Sequence, residues 1–195
     1  MVEVRWEIRW AGFGGQGVIR AGEILGRAAI KQGFDASMRP MYGPEKTGGW
    51  SRADVVISDE PIIFPLIVHP DIIVAMSQDG MNRDGRSLKK GGLLLVDDEI
   101  VKGLVECNPS KIYGVRATSI ADSLGRRIVA NIVMLGAFVK AFGIVDPDIL
   151  LETIIETFPK AAELNRKAFK LGMENVREVA LKHITSARLA ESREV

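Results

Sequence analysis

Short apolar segments of strand length alternate with amphipathic helical patterns along most of this chain, and few architectures accommodate that arrangement. The segments are VRWEIRW (4–10), FDASM (34–38), ADVVIS (53–58), DIIVAM (71–76), GLLLVDD (92–98) and KIYGVRA (111–117). The clearest intervening helix spans 18–32, where Val18, Ala21, Leu25, Ala28 and Ala29 share one face. Strands that are apolar nearly throughout must be covered on both sides. The expected fold class is therefore α/β, a three-layer α/β/α arrangement with a mainly parallel sheet. After 111–117 the strands stop. A buried helix is expected at 128–142, then one at 148–158 with Asp146 as N-cap and Pro147 at its first position. Pro159 breaks that helix, and a last one is expected over 160–183, followed by a polar tail from about 186. With no internal repeat and no low-complexity linker, the chain reads as a single domain over 1–195.

Composition narrows the partners. Lys and Arg number 26 against 25 Asp and Glu, a net charge of +1, so no nucleic-acid partner is expected. The single cysteine, Cys107, excludes an intrachain disulfide and any cysteine-built cluster or zinc site made by this chain alone. It reads as a small hydrophobe near a strand. The apolar run 128–139 lies between Arg127 and Lys140 and falls short of the ~20 residues a bilayer needs. Residues 1–9 lack the apolar run of a secretory signal. The expectation is a cytoplasmic chain with no membrane partner.

The first strand leads directly into GFGGQGV, with Gly12, Gly14 and Gly17 in the spacing G-x-G-x-x-G, and then into a helix. This is the context of a Rossmann-like glycine turn that receives an anion on helix amides. Gly12 permits the tight turn, Gly14 lets a ligand approach, and Gly17 lets the helix pack closely. Phe13, Gly15 and Gln16 complete the loop. On this reading Gly14→Val places a branched side chain where a ligand phosphate would lie. A nicotinamide site also needs an acid ending the second strand. Asp35 begins that strand instead, and its end carries Arg39, which suits only an NADP 2′-phosphate. Cofactor contact, packing alone and a dinucleotide redox site all stay open.

A second loop, RPMYGPEKTGGWSR, follows the second strand and must begin near the mouth of the first turn. Tyr42 and Trp50 offer stacking faces, and Arg39, Lys46 and Arg52 offer cations. QDGMNRDG (78–85) reads as a loop, lacking the first glycine of a diphosphate-binding Gly-Asp-Gly motif. His69 and His183 read as structural. The adjacent acids Asp59, Glu60 and Asp97, Asp98, Glu99 read as solvated turns, not acid/base pairs. No catalytic residue and no metal ligand stands out.

Together, GFGGQGV, YGPE..GG..R and ISDEPI resemble the gamma subunit or domain of 2-oxoacid:ferredoxin oxidoreductases, the pyruvate, 2-oxoglutarate and 2-oxoisovalerate group. PDIIVAMSQDG, KKGGLLLVDD and ANIVMLGAF extend the resemblance over 6–160. Lys46 and Thr47 stand where that family usually has Met-Arg, so a phosphate contact from an arginine at 47 is absent. The resemblance implies one component of an enzyme that decarboxylates a 2-oxoacid on thiamine diphosphate. Electrons then pass through iron–sulfur clusters to ferredoxin, and an acyl-CoA forms. Thiamine diphosphate, Mg and the clusters would belong to alpha, beta and ferredoxin-like delta partners. This chain would be inactive alone, aiding assembly and coenzyme A positioning. Gly12, Phe13, Gly14, Gly15, Gln16 and Gly17, with Tyr42, Gly43, Pro44, Glu45, Gly48 and Gly49, would line the coenzyme A site. The loop form looks slightly closer to the 2-oxoglutarate branch. A stand-alone NADP-dependent oxidoreductase and a purely structural subunit are the alternatives.

Overall fold

The computed structural model describes residues 4–45 and 48–180. Seven strands among them form one sheet: β1 (Arg5–Phe13), β2 (Asp35–Tyr42), β3 (Trp50–Ser58), β4 (Ile72–Ala75), β5 (Leu93–Asp97), β6 (Lys111–Val115) and β7 (Arg177–Glu178). Their order is β2-β3-β1-β4-β5-β6-β7. The run β1-β4-β5-β6 is parallel, whereas β3 is antiparallel to both β1 and β2, and β7 is antiparallel to β6. The sheet is thus mixed around a parallel core. Only β3 and β7 run against the rest.

The strand sequences explain which positions are central. Every residue of Ile72–Ala75 is buried, as a parallel strand covered on both faces requires. In β1 the alternation splits the faces. Ile8 and Trp10 join the large core under α1 (Val18–Lys31), α4 (Ala130–Phe142), α5 (Pro147–Thr157) and α6 (Ala162–Asn175). Between β6 and α4 lies α3 (Ala117–Ser123). On the other face a smaller core of Ile73, Ala75, Leu94 and Val96 packs against Met81, Val101, Leu104 and Val105. That face is covered by the short α2 (Gln78–Asp84) and by irregular chain, so the third layer is thin. No helix among the described residues is long and apolar enough to cross a membrane.

Arg9 points to this second face, 3% exposed, and forms a bidentate pair with buried Asp54 at 2.8 and 2.9 Å. Two further donors go to Ser87 Oγ at 2.7 Å and the Ile67 carbonyl at 2.9 Å. Four of the five guanidinium N–H groups are thus bonded, and removing one partner from such a pair costs about 3–5 kcal/mol.

The helices follow their local signals. Asp146 caps α5, accepting from the Asp148 and Ile149 amides, with Pro147 at the first position. The expected buried helix is α4, with residues 130–139 all buried. Three expectations are corrected. Residues 78–84 are a helix, because Ser77 accepts from the Gly80 amide at its N-terminus. The last helix ends at Asn175, and Arg177–Glu178 turn back to pair with Tyr113 and Gly114. Asp97 is buried, not solvated, since its carboxylate takes the Thr118 amide and hydroxyl. His183 and the tail from about 186 lie outside the described residues.

Candidate functional site

The carboxyl ends of β1 and β2 lie at the same edge of the sheet, because Phe13 is in register with Trp50 and Tyr42 with Ser51. The glycine turn after β1 and the 43–49 loop therefore meet. The Gly14 amide donates to the Gly49 carbonyl at 2.7 Å, and the Gly43 amide to the Trp50 carbonyl at 2.8 Å. All twelve residues assigned to the site from sequence belong to this one rim. They do not all face outward.

Gly12 is buried, and a Cβ there would lie 2.5 Å from Gln16 Oε1 and 2.8 Å from Val18 Cγ2. Gln16 is a brace: its Oε1 accepts from the Phe13 amide at 2.8 Å and its Nε2 donates to the Met76 carbonyl at 2.9 Å. It spans the ends of β1 and β4, the place where strand order reverses and open α/β sheets usually hold a ligand. Gly17 adopts φ 75° as the N-cap of α1, and a Cβ there would fall on the Asn131 amide. Asn131 is 4% exposed and donates to the Gly17 carbonyl at 3.2 Å. Gly14 approaches the second loop, not open space, since its Cβ would sit 3.3 Å from the Gly49 carbonyl oxygen. A Gly14→Val change would therefore disrupt the contact between loops before it touched any ligand.

The open positions are Gly15 (φ 93°) and Gly48 (φ 71°), both exposed, where a Cβ would find nothing within 4 Å. Tyr42 is 64% exposed beside them. Glu45 folds back over Gly43 and Gly49, whose missing side chains make room for its carboxylate; Trp50 also fills the space beside Gly43. Pro44 is exposed at the loop's turn.

Sequence reasoning missed two contributors. Arg83, from α2, lays its guanidinium 4.4 Å from the centre of the Trp50 ring and shares the Asp84 carboxylate with Arg52, so that the two arginines keep a net positive charge beside the rim. Asn131, from α4, supports the turn. The Ser77 cap signal three residues before Gly80 would have revealed α2 and hence Arg83. Asn131 carries no local signal, because its partner lies 114 residues away. Between α4 and the chain around 158–165, an apolar groove of about 700 Å3 runs past Asn131, Ile132 and Phe158, with Arg126 and Lys160 at its edges.

Arg39 does not complete a dinucleotide site. In the dinucleotide fold the second strand lies next to the first, whereas here β3 separates β2 from β1. Asp35 sits at the far end of β2, where it accepts from the Ile62 amide at 2.8 Å. Burial pushes the Cys107 thiol above its ordinary pKa, so it stays protonated near neutrality and is a poor nucleophile. Among the described residues no cluster of three or more His, Cys, Asp or Glu has the arrangement to hold a metal ion.

A profile of the family described as Pyruvate ferredoxin/flavodoxin oxidoreductase matches residues 7–175. The 2-oxoglutarate synthase subunit KorC of Methanocaldococcus jannaschii is 43% identical over 183 residues, covering 91% of this chain and 97% of that protein. The ketoisovalerate oxidoreductase subunit VorA of Methanothermobacter thermautotrophicus is 36% identical over 181 residues, covering 90% of this chain but only 37% of its own length. The crystal structure of a keto/oxoacid ferredoxin oxidoreductase gamma subunit from Geobacter sulfurreducens superposes with a TM-score of 0.79 at 38% identity, over 88% of this chain and 96% of that one.

Proposed function

The chain belongs to the pyruvate ferredoxin/flavodoxin oxidoreductase family, and we propose that it serves as the gamma subunit of a 2-oxoglutarate-oxidising member. The complex would convert a 2-oxoacid, coenzyme A and oxidised ferredoxin into acyl-CoA, CO2 and reduced ferredoxin. The identity of 43% to a 2-oxoglutarate synthase subunit supports that substrate branch. Alpha, beta and ferredoxin-like delta partners would hold thiamine diphosphate, Mg and the iron–sulfur clusters. One half-buried cysteine cannot ligate a cluster that needs several thiolates.

The observation that carries a coenzyme A role is the junction of two glycine-rich bends at one exposed rim, tied by the Gly14–Gly49 hydrogen bond. The phosphate-bearing part of coenzyme A would approach the main chain at Gly15 and Gly48, where no side chain intervenes. Arg83 would add a cation, and Tyr42 an exposed face for the adenine. Coenzyme A supplies the thiol that accepts the acyl group. This chain's residues would only hold and orient it.

Two measurements test the proposal. The isolated chain is expected to show no 2-oxoacid oxidation with thiamine diphosphate and a viologen dye, and activity there would overturn the subunit reading. In the reconstituted complex, Tyr42→Ala is expected to raise the KM for coenzyme A several-fold and leave the KM for the 2-oxoacid unchanged. An unchanged KM for coenzyme A would support a second reading, in which these loops serve assembly alone. What favours that reading is that Gly12, Gly17, Gly43 and Gly49 all have their Cβ space filled by the chain's own atoms, and that Gly14 packs against the Gly49 carbonyl.

A further inference from the structure

The segment joining β3 to β4 lies at the opposite edge of the sheet, beside the amino ends of β1 and β4. It reads DEPIIFPLIVHP and contains no helix or strand. Its apolar side chains face out: Ile63 is 94% exposed, Phe64 60%, Leu66 41% and Val68 63%. A lone exposed apolar residue needs no explanation, but four within six positions do.

The backbone of this segment is held in place. The Phe64 carbonyl accepts from Arg5 at 2.8 Å, and the Ile67 carbonyl accepts from buried Arg9 at 2.9 Å. The Ile62 amide donates to Asp35, and Pro61, Pro65 and Pro70 restrict the chain further. Ile67 turns inward, at 8% exposure, Pro70 is buried at the segment's end, and Ile62 is half-buried. A buried arginine already paired with Asp54 thus helps fix the main chain while its apolar side chains stay in water. Such preorganisation lowers the ordering cost of an association.

We infer that 62–68 is a docking knob for another subunit of the same oxidoreductase, one presenting an apolar hollow with a basic edge. The inference rests on the gamma-subunit reading above. Two observations select this occupant. Asp35, Asp59 and Glu60 flank the knob on its amino-terminal side as exposed carboxylates, where nearby Arg5 is already paired with Glu7. Lys89 is paired with Asp71, and the exposed Arg86 and Lys90 lie only toward the Pro70 end. An acidic rim opposes an anionic lipid surface, and it opposes a second copy of itself across a two-fold axis. In VorA the matching unit makes up 37% of a longer chain, so in that relative the unit is continuous with further polypeptide of the enzyme.

The test is co-expression of the complete complex with Ile63→Ser, Phe64→Ser. Both side chains are solvated, so the isolated variant is expected to keep the wild-type melting temperature and circular dichroism. Its retention in the complex is expected to fall about tenfold or more. A photocrosslinking amino acid at position 68 is expected to capture a different subunit of the complex. Wild-type retention, or a crosslink to a second copy of this chain, would overturn the inference. So would binding of the isolated chain to phosphatidylserine vesicles that the double variant abolishes. A variant complex that assembles and oxidises 2-oxoacid normally refutes only the knob and leaves the gamma-subunit reading standing.

Discussion

Asp97 ends β5 at 1% exposure, and its Oδ2 accepts from the Thr118 amide at 2.9 Å and the Thr118 hydroxyl at 2.6 Å. Burial raises its pKa above the ordinary carboxylate value, and the Thr118 hydrogen bonds pull only part of the way back. The sign of the consequence follows from linkage. Unfolded, the group titrates at ~3.9. Folded, it holds its proton to higher pH, so between the two values the native state binds more protons. Stability attributable to Asp97 is therefore present at acid pH and is lost as pH rises through the folded pKa. The Asp97→Asn variant lacks this loss. Thermal melts at pH 4 and pH 7 are expected to show wild type losing ground to the variant on going to pH 7. A difference that stays constant would mean that the Thr118 bonds fully cancel the effect of burial, and wild type gaining on the variant would mean that they outweigh it.

At the scale of elements, the tightest constraint is the crossing of α4 and α6. A Cβ on Gly136 would fall on the Phe169 carbonyl oxygen, and one on Gly172 on the Val133 carbonyl oxygen. The two backbones touch, so neither helix can yield without moving the other. Gly172→Ala is expected to cost about 3 kcal/mol, as overpacking of a filled core does, and to lower the Tm by roughly 6–12 °C. A Tm within a degree of wild type would show that the helices can slide apart. This crossing was invisible in sequence, where glycine inside a helical pattern signals only weakness. What was legible had local causes: the parallel-core strands, the glycine turn, the Asp146–Pro147 helix start and the buried helix at α4. The thin second layer, the insertion of β3 beside β1 and the turning-in of Gln16 depend on partners far along the chain. Phe13 and Met76 claim the Gln16 amide, and no short-range pattern announces that. The outward face of 62–68 was equally hidden, because an apolar run in sequence gives no sign of which way it points.

On the scale of the whole molecule, the two surfaces lie at opposite ends of the same strands. β1 runs nine residues from Arg5, bonded to the apolar segment, to Phe13, at the glycine turn. At about 3.3 Å per residue that separation is roughly 25–30 Å. Substitutions so far apart, with no shared partner, normally add within ~0.5 kcal/mol. Combining Tyr42→Ala with Ile63→Ser and Phe64→Ser should then reproduce both separate effects. The triple variant is expected to enter the complex as poorly as the knob variant does. The complexes that form are expected to show the coenzyme A KM of Tyr42→Ala alone. Titrating the partner subunits while recording KM and retention together measures both. If docking at the amino ends of the strands instead changes the KM set at their carboxyl ends, the rigid sheet transmits strain between them. The division of labour between the two edges would then be wrong.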